Sequence, residues 1–173
     1  MKQVIKLSVT LFLITAVVAG LLAGVNAVTK PMIEKANREK TQKAIGEVLP
    51  GGGKQLEIPL TGDIQAVYAS ETGYAVQVAP SGFGGTIQMM VGVDKAGKVL
   101  GISIISQTET AGLGAVAAAD NAAGKNFRNQ YSETAAPFAV GTNIDALTGA
   151  TITSKAVTDG VNQAVAFVGE VEK

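Results

Sequence analysis

Leu7 to Val28 is a run of 22 residues without a charged side chain, and no other segment constrains the chain so strongly. At about 1.5 Å rise per residue, such a run forms a helix long enough to cross a hydrocarbon layer of about 30 Å. Lys2 and Lys6 flank it on the N-terminal side. A cleaved signal sequence is the rival reading, and Val25-Asn26-Ala27 loosely imitates a cleavage site. Signal sequences carry apolar stretches of about 7–15 residues, so the length favours a retained membrane helix. Ala16, Gly20 and Gly24 recur every fourth residue, giving the helix one face of small side chains on which another helix can pack closely.

The rest of the chain is long enough for one domain with a single sizeable core. Fourteen basic and 14 acidic residues cancel, which leaves no electrostatic case for nucleic acid. Histidine, cysteine and tryptophan are absent. Without cysteine the chain offers no disulfide, iron–sulfur ligation or thiol catalysis. Without histidine as well, the usual zinc and haem ligands are missing, and no metal site is expected.

Pro31 suits the first position of a second helix, with Met32 to Leu49 moderately amphipathic and stopped by Pro50-Gly51-Gly52-Gly53. Ile58 to Ala69 reads as irregular chain or a short strand, and Pro59 argues against a central one. Tyr74, Val76 and Val78 alternate with small or polar residues, as do Ile87, Met89, Val91 and Val93. Asp94-Lys95-Ala96-Gly97 is a turn into a third strand, Lys98 to Ile105, so Gly73 to Ser106 reads as an antiparallel meander. Gly82-Phe83-Gly84-Gly85 lacks the spacing of a phosphate cradle and reads as an inter-strand loop. Ala115 to Ala123 has helical composition, and Phe138 to Val140 suggests a short strand. The expected class is α+β, an antiparallel sheet flanked by helices and preceded by one transmembrane helix.

Near the C-terminus stands Asp145-Ala146-Leu147-Thr148-Gly149-Ala150-Thr151. Gly149 and Ala150 have little or no side chain, which lets a bulky group approach the backbone. Beyond them Ala156, Val157, Val161, Ala164, Val165 and Val168 recur at helical spacing, with Thr153 or Ser154 as the expected N-cap. A phosphate carried on Thr151 would lie near the helix N-terminus, where free N–H groups and the dipole favour an anion. This run resembles the acceptor motif of the FMN-binding domain family, whose pattern is Asp, two variable residues, Ser or Thr, Gly, Ala, then the acceptor Ser or Thr. Ser106-Gln107-Thr108-Glu109-Thr110-Ala111-Gly112-Leu113-Gly114 is similar to the family's second signature. There Gln107 stands in place of the usual His and Ala111 in place of the usual Pro, so the loop lacks a fixed φ. Gly73-Tyr74-Ala75-Val76 and Gly82 to Ile87 also resemble the family, in the same order. The resemblance spans roughly residues 29–168.

The resemblance implies FMN joined through its phosphate to Thr151, with Thr148, Gly149 and Ala150 flanking the ester. Glu109, Thr110, Gly112 and Leu113 would form the opposing loop. A separate flavin transferase would make the bond, with Thr151 Oγ attacking a phosphate of FAD and AMP leaving, and Asp145 would be part of what it recognises. No residue of this chain is expected to be catalytic. Size and the single apolar segment look most like the G subunits of Rnf-type electron transport complexes. That implies an electron carrier in a membrane-bound, ion-translocating ferredoxin:NAD+ oxidoreductase, without turnover of its own, partnered by the other subunits. The equivalent subunit of a sodium-pumping NADH:quinone oxidoreductase, a free-standing anchored flavin shuttle and a non-redox anchored binding module remain alternatives.

The implied topology has residues 1–6 in the cytoplasm, 7–28 in the bilayer and 29–173 as an extracytoplasmic FMN-binding domain of a bacterial inner or plasma membrane protein. The local charges oppose this. Two cations precede the apolar run, whereas Lys30, Lys35, Arg38, Lys40 and Lys43 follow it, and positive charge prefers the cytoplasmic side. Long domains translocate largely regardless of such charges, and the resemblance sets the expectation.

Overall fold

The computed structural model describes Lys2 to Glu172. Its first helix, α1, runs unbroken from Lys2 to Val48 with Pro31 inside it. The second helix expected from Pro31 onward is therefore a continuation of the first. Pro31 removes one N–H and costs a helix interior about 3 kcal/mol, but no capping glycine precedes it. Ala27, Lys30, Met32, Glu34 and Lys35 carry the helix past it, and the helix ends only at Val48, just before Pro50 and the glycines that follow. Among the described residues α1 alone is long and apolar enough to cross a membrane, with a mean hydropathy of 2.3 over its most apolar stretch.

The chain divides into two compact units, one ending at Glu39 and one beginning at Lys40. The second holds a six-stranded antiparallel meander in sequence order. Its strands are β1 (Lys54–Gln55), β2 (Ile64–Ala69), β3 (Gly73–Val78), β4 (Gln88–Asp94), β5 (Lys98–Ser106) and β6 (Thr134–Ala135). As expected, Asp94 to Gly97 turns the chain between β4 and β5. Gly97 N donates to Asp94 O, and the Asp94 carboxylate accepts from the N–H groups of Ala96 and Lys98. Gly97 takes a φ of +82° there, which glycine adopts without strain.

Alternation along the strands sorts the two faces. Val76, Val78, Met89, Val91, Val93 and Val99 point to a core closed by helix α3 (Thr151–Val171) through Val157, Val161, Ala164 and Val168. Ala75 and Met90 point the other way, against Ala44, Ile45, Val48 and Leu49 at the end of α1. Ala75, Gly92 and Gly101 are paired across β3, β4 and β5. A Cβ at Gly92 would stand 2.1 Å from the Val48 carbonyl oxygen, so the lack of side chains is what lets the helix end lie on the sheet.

Two further local expectations differ from the structure. The alanine-rich stretch splits into a 3-10 turn at Gly114–Ala118 and a separate helix, α2 (Ala122–Asn129), because Asn121 caps α2 by accepting from Gly124 N at 2.9 Å. Phe138 to Val140 is not a strand. Its backbone is taken up by side chains: Asn162 bonds both Phe138 N and Phe138 O, and Asn143 accepts from Ala139 N. Phe138 instead packs edge-to-face on Tyr131, with ring centroids 5.3 Å apart.

Candidate functional site

The acceptor segment is a tight turn held from below. Ala150 N donates to Leu147 O at 2.9 Å, and Gly149 has a φ of +73° at the third position of the turn, as a type II turn requires. Ser154 reaches back one helical turn. Its hydroxyl accepts from Leu147 N and donates to Ala150 O, both at 2.9 Å. Helix α3 begins directly after this turn, at Thr151, with Ala150 at the N-cap and no side chain bonded there. That corrects the expected cap at Thr153 or Ser154, for both lie inside the first turn with their hydroxyls already engaged. The N–H groups of Thr151, Ile152 and Thr153 precede the first intrahelical bond, which runs from Ser154 N to Ala150 O at 3.0 Å. They form a bare positive helix end.

Glu109 ties three segments together. It is 8% exposed. One carboxylate oxygen accepts from Gly84 N at 2.7 Å and the other from the Thr153 hydroxyl. Thr108 adds a bond from its hydroxyl to Gly84 O at 3.0 Å, and Gln107 accepts from Glu109 N. The glycine-rich loop between β3 and β4 is therefore an inter-strand loop, as expected, and also a wall of the site. A Cβ at Gly84 would stand 2.3 Å from Thr108 O, and one at Gly82 would stand 2.5 Å from the Glu109 carboxylate. Gly114 is fixed in the same way, since a Cβ there would stand 2.4 Å from Thr153 Oγ1.

Between these parts lies a pocket of about 390 Å³ lined by Phe83, Glu109, Thr110, Leu113, Gly114 and residues 149–153. Of the residues singled out from sequence, it brings together Glu109, Thr110, Leu113, Gly149, Ala150 and Thr151. Gly112, Thr148 and Asp145 line a neighbouring hollow of about 480 Å³, with Leu113 shared between the two. Asp145 is exposed, and its backbone is clamped by Gln130, whose amide accepts from Asp145 N at 2.7 Å and donates to Asp145 O at 3.2 Å. Sequence reasoning left Phe83, Gly114, Ile152 and Gln130 out of the site. For Gly114 the available signal was its place at the end of the second signature, Ser106 to Gly114; Gln130 carries no motif.

The three hydroxyls of the acceptor run are placed differently. Thr153 is 2% exposed and bonded to Glu109. Thr148 faces the neighbouring hollow. Thr151 is exposed, stands first on the bare helix end and lines the pocket. A phosphate on Thr151 would meet free N–H donors, and an apolar planar group tethered to it would find Phe83, Leu113 and Ile152. The residues present fit a flavin mononucleotide.

The model of the FMN-binding domain matches residues 82–166, and that of the RnfG N-terminal region matches residues 1–48. The G subunit of the Na+-translocating ferredoxin:NAD+ oxidoreductase complex of Acetobacterium woodii is 35% identical, over 99% of this chain and 95% of its own. Its counterpart in the proton-translocating ferredoxin:NAD+ oxidoreductase complex of Clostridium ljungdahlii is 43% identical over 57% of each chain. The G subunit of the ion-translocating oxidoreductase complex of Methanosarcina acetivorans is 28% identical over 99% of this chain and 97% of its own. The chain belongs to this family of G subunits with an FMN-binding domain.

Proposed function

We propose that this chain is the electron-carrying flavoprotein subunit of a membrane-bound, ion-translocating ferredoxin:NAD+ oxidoreductase, with FMN held as a phosphoester on Thr151. The observation that carries the reading is the exposed position of Thr151 beside an apolar pocket, at a helix end left without a side-chain cap. Bound there, the flavin supplies reversible electron transfer, which no side chain of this protein offers. The chain's own residues do the holding. The first N–H groups of α3 receive the phosphate, and Ser154 keeps the turn at Thr151 in register. Glu109 fixes the opposing loop, and Phe83, Leu113 and Ile152 present an apolar lining. Asp145, free at its carboxylate and clamped at its backbone, is presented to the flavin transferase that loads the chain. Electrons then enter and leave through neighbouring subunits, so the isolated chain has no turnover.

Production of the full chain together with a flavin transferase tests this. A flavin that stays fluorescent on a denaturing gel is expected for the wild type and for Thr151→Ser, and none for Thr151→Ala. Peptide mapping that put the flavin on Thr148 or Thr153 would refute the assignment. The reading also has α1 spanning the membrane uncleaved with residues 29–173 outside, so protease added to spheroplasts should digest the domain. Complete protection would reverse that orientation.

A further inference from the structure

We infer that Phe83 is a positioning residue for the flavin ring, an aromatic cap on a rigid mount that covers one face of the ring, shields it from water and lowers its reduction potential. The inference rests on the Thr151 reading above. Phe83 is 70% exposed, the most of any large apolar side chain in the described part of the second unit. Leu113 at 43% and Ile152 at 52% are also exposed, and all three line the Thr151 pocket.

The loop that carries Phe83 is held firmly. Gly82 N donates to Gly85 O at 2.8 Å, and Ser81 bridges Thr86 at the loop base. Gly84 is pinned at both its N–H and its carbonyl by Glu109 and Thr108. The glycines lie so close to that neighbouring loop that no side chain fits at Gly82 or Gly84. Phe83 is thus the one bulky side chain of the loop, and it packs on no core. A rigid mount around an unburied aromatic has no folding rationale, since the ring gains little by staying in water.

Thr151 supplies the occupant, because a group tethered to its hydroxyl enters the same pocket. An isoalloxazine ring is flat and conjugated, and an aromatic side chain stacks on such a ring in offset or edge geometry. The negative π face of Phe83 and the exclusion of water both disfavour the charge the ring gains on reduction. The covered flavin is therefore harder to reduce than an uncovered one.

The test uses the full chain, flavinylated in cells and purified in detergent, as wild type, Phe83→Ala and Phe83→Tyr. Phe83→Ala should move the flavin midpoint potential to more positive values, raise quenching of flavin fluorescence by iodide several-fold and weaken the visible circular dichroism of the flavin. Phe83→Tyr should restore all three. Unchanged potential, quenching and dichroism in a flavinylated Phe83→Ala would overturn this inference alone, and so would equal shifts in both variants. A wild-type chain without gel-stable flavin would overturn the Thr151 reading and this inference with it.

Discussion

The Thr153 hydroxyl donates to the Glu109 carboxylate across 44 positions of sequence, joining the first turn of α3 to the loop that leaves β5. The other carboxylate oxygen accepts from Gly84 N, so one side chain holds both walls of the pocket against the helix that carries Thr151. Bonds to a charged acceptor contribute about 1.5–3 kcal/mol each, and a buried donor left without a partner costs about 1–3 kcal/mol. Glu109→Ala should therefore destabilise the domain by about 2–4 kcal/mol, read as a lower urea midpoint by tyrosine fluorescence. Flavin incorporation should fall in parallel. Glu109→Gln, which keeps one acceptor, should lose less. A wild-type midpoint in Glu109→Ala would show that the three segments are held by something else.

The meander and the core face of α3 were legible because they follow periodicities of 2 and 3.6 residues in the chain itself, and the Asp94 turn because Asp and Gly stand at its ends. The joint at Glu109 was not. An isolated Glu in a polar loop has no pattern, and its partners Gly84 and Thr153 lie 25 and 44 positions away. The cap differs from expectation for a related reason. Ser154 looks like a capping residue, but its hydroxyl serves the turn before the helix instead. The passage of α1 through Pro31 was not legible because a proline penalty is local, whereas nothing around it provides an alternative turn.

Ser154 is fully buried and is the clamp of the acceptor turn. Ser154→Ala leaves Leu147 N without its partner, a loss of about 1–2 kcal/mol. The larger effect should fall on maturation, since Thr151 is then presented on a loosened turn. Purified transferase and FAD should load the variant several-fold more slowly than the wild type. Equal loading rates would mean that the turn holds its shape without Ser154.

Gly92 lies beneath the last turn of α1, where a Cβ would meet the Val48 backbone. Gly92→Val should force helix and sheet apart. Overpacking of this kind costs about 1–3 kcal/mol, and backbone cannot swing aside as a side chain can. The opposite face under α3 should be unaffected. Faster trypsin cleavage at Lys40 and Lys43 is the expected sign, together with a lower urea midpoint. Cleavage at the wild-type rate would show that Val48 and its neighbours do not dock on the sheet.

Tyr131 gives the domain a defined alkaline limit. Its ring is fully buried, and its hydroxyl lies 2.8 Å from Thr158 Oγ1. Either hydroxyl can donate in that pair, and the Thr158 hydroxyl, which otherwise donates to Ser154 O at 2.8 Å, can turn to the phenolate when Tyr131 ionises. Burial pushes the phenol up to about 12 from its ordinary value of 10.0; the Thr158 contact lowers it, and the charge of Asp159 raises it slightly. The folded value lies above the unfolded one, so the stabilisation is fully present below pH 10 and is lost as pH rises toward 12. One pKa unit corresponds to about 1.4 kcal/mol, which makes the loss across that window about 2–3 kcal/mol. Tyr68, raised by burial, and Tyr74, raised first by its bond to Glu172, add to the same slope. Tyr131→Phe should be about 1 kcal/mol less stable at pH 8, having lost one neutral hydrogen bond. Between pH 10 and 12 it should lose less than the wild type, and the two urea-midpoint curves should meet and then cross. Parallel curves through that window would show that Tyr131 does not set the alkaline limit.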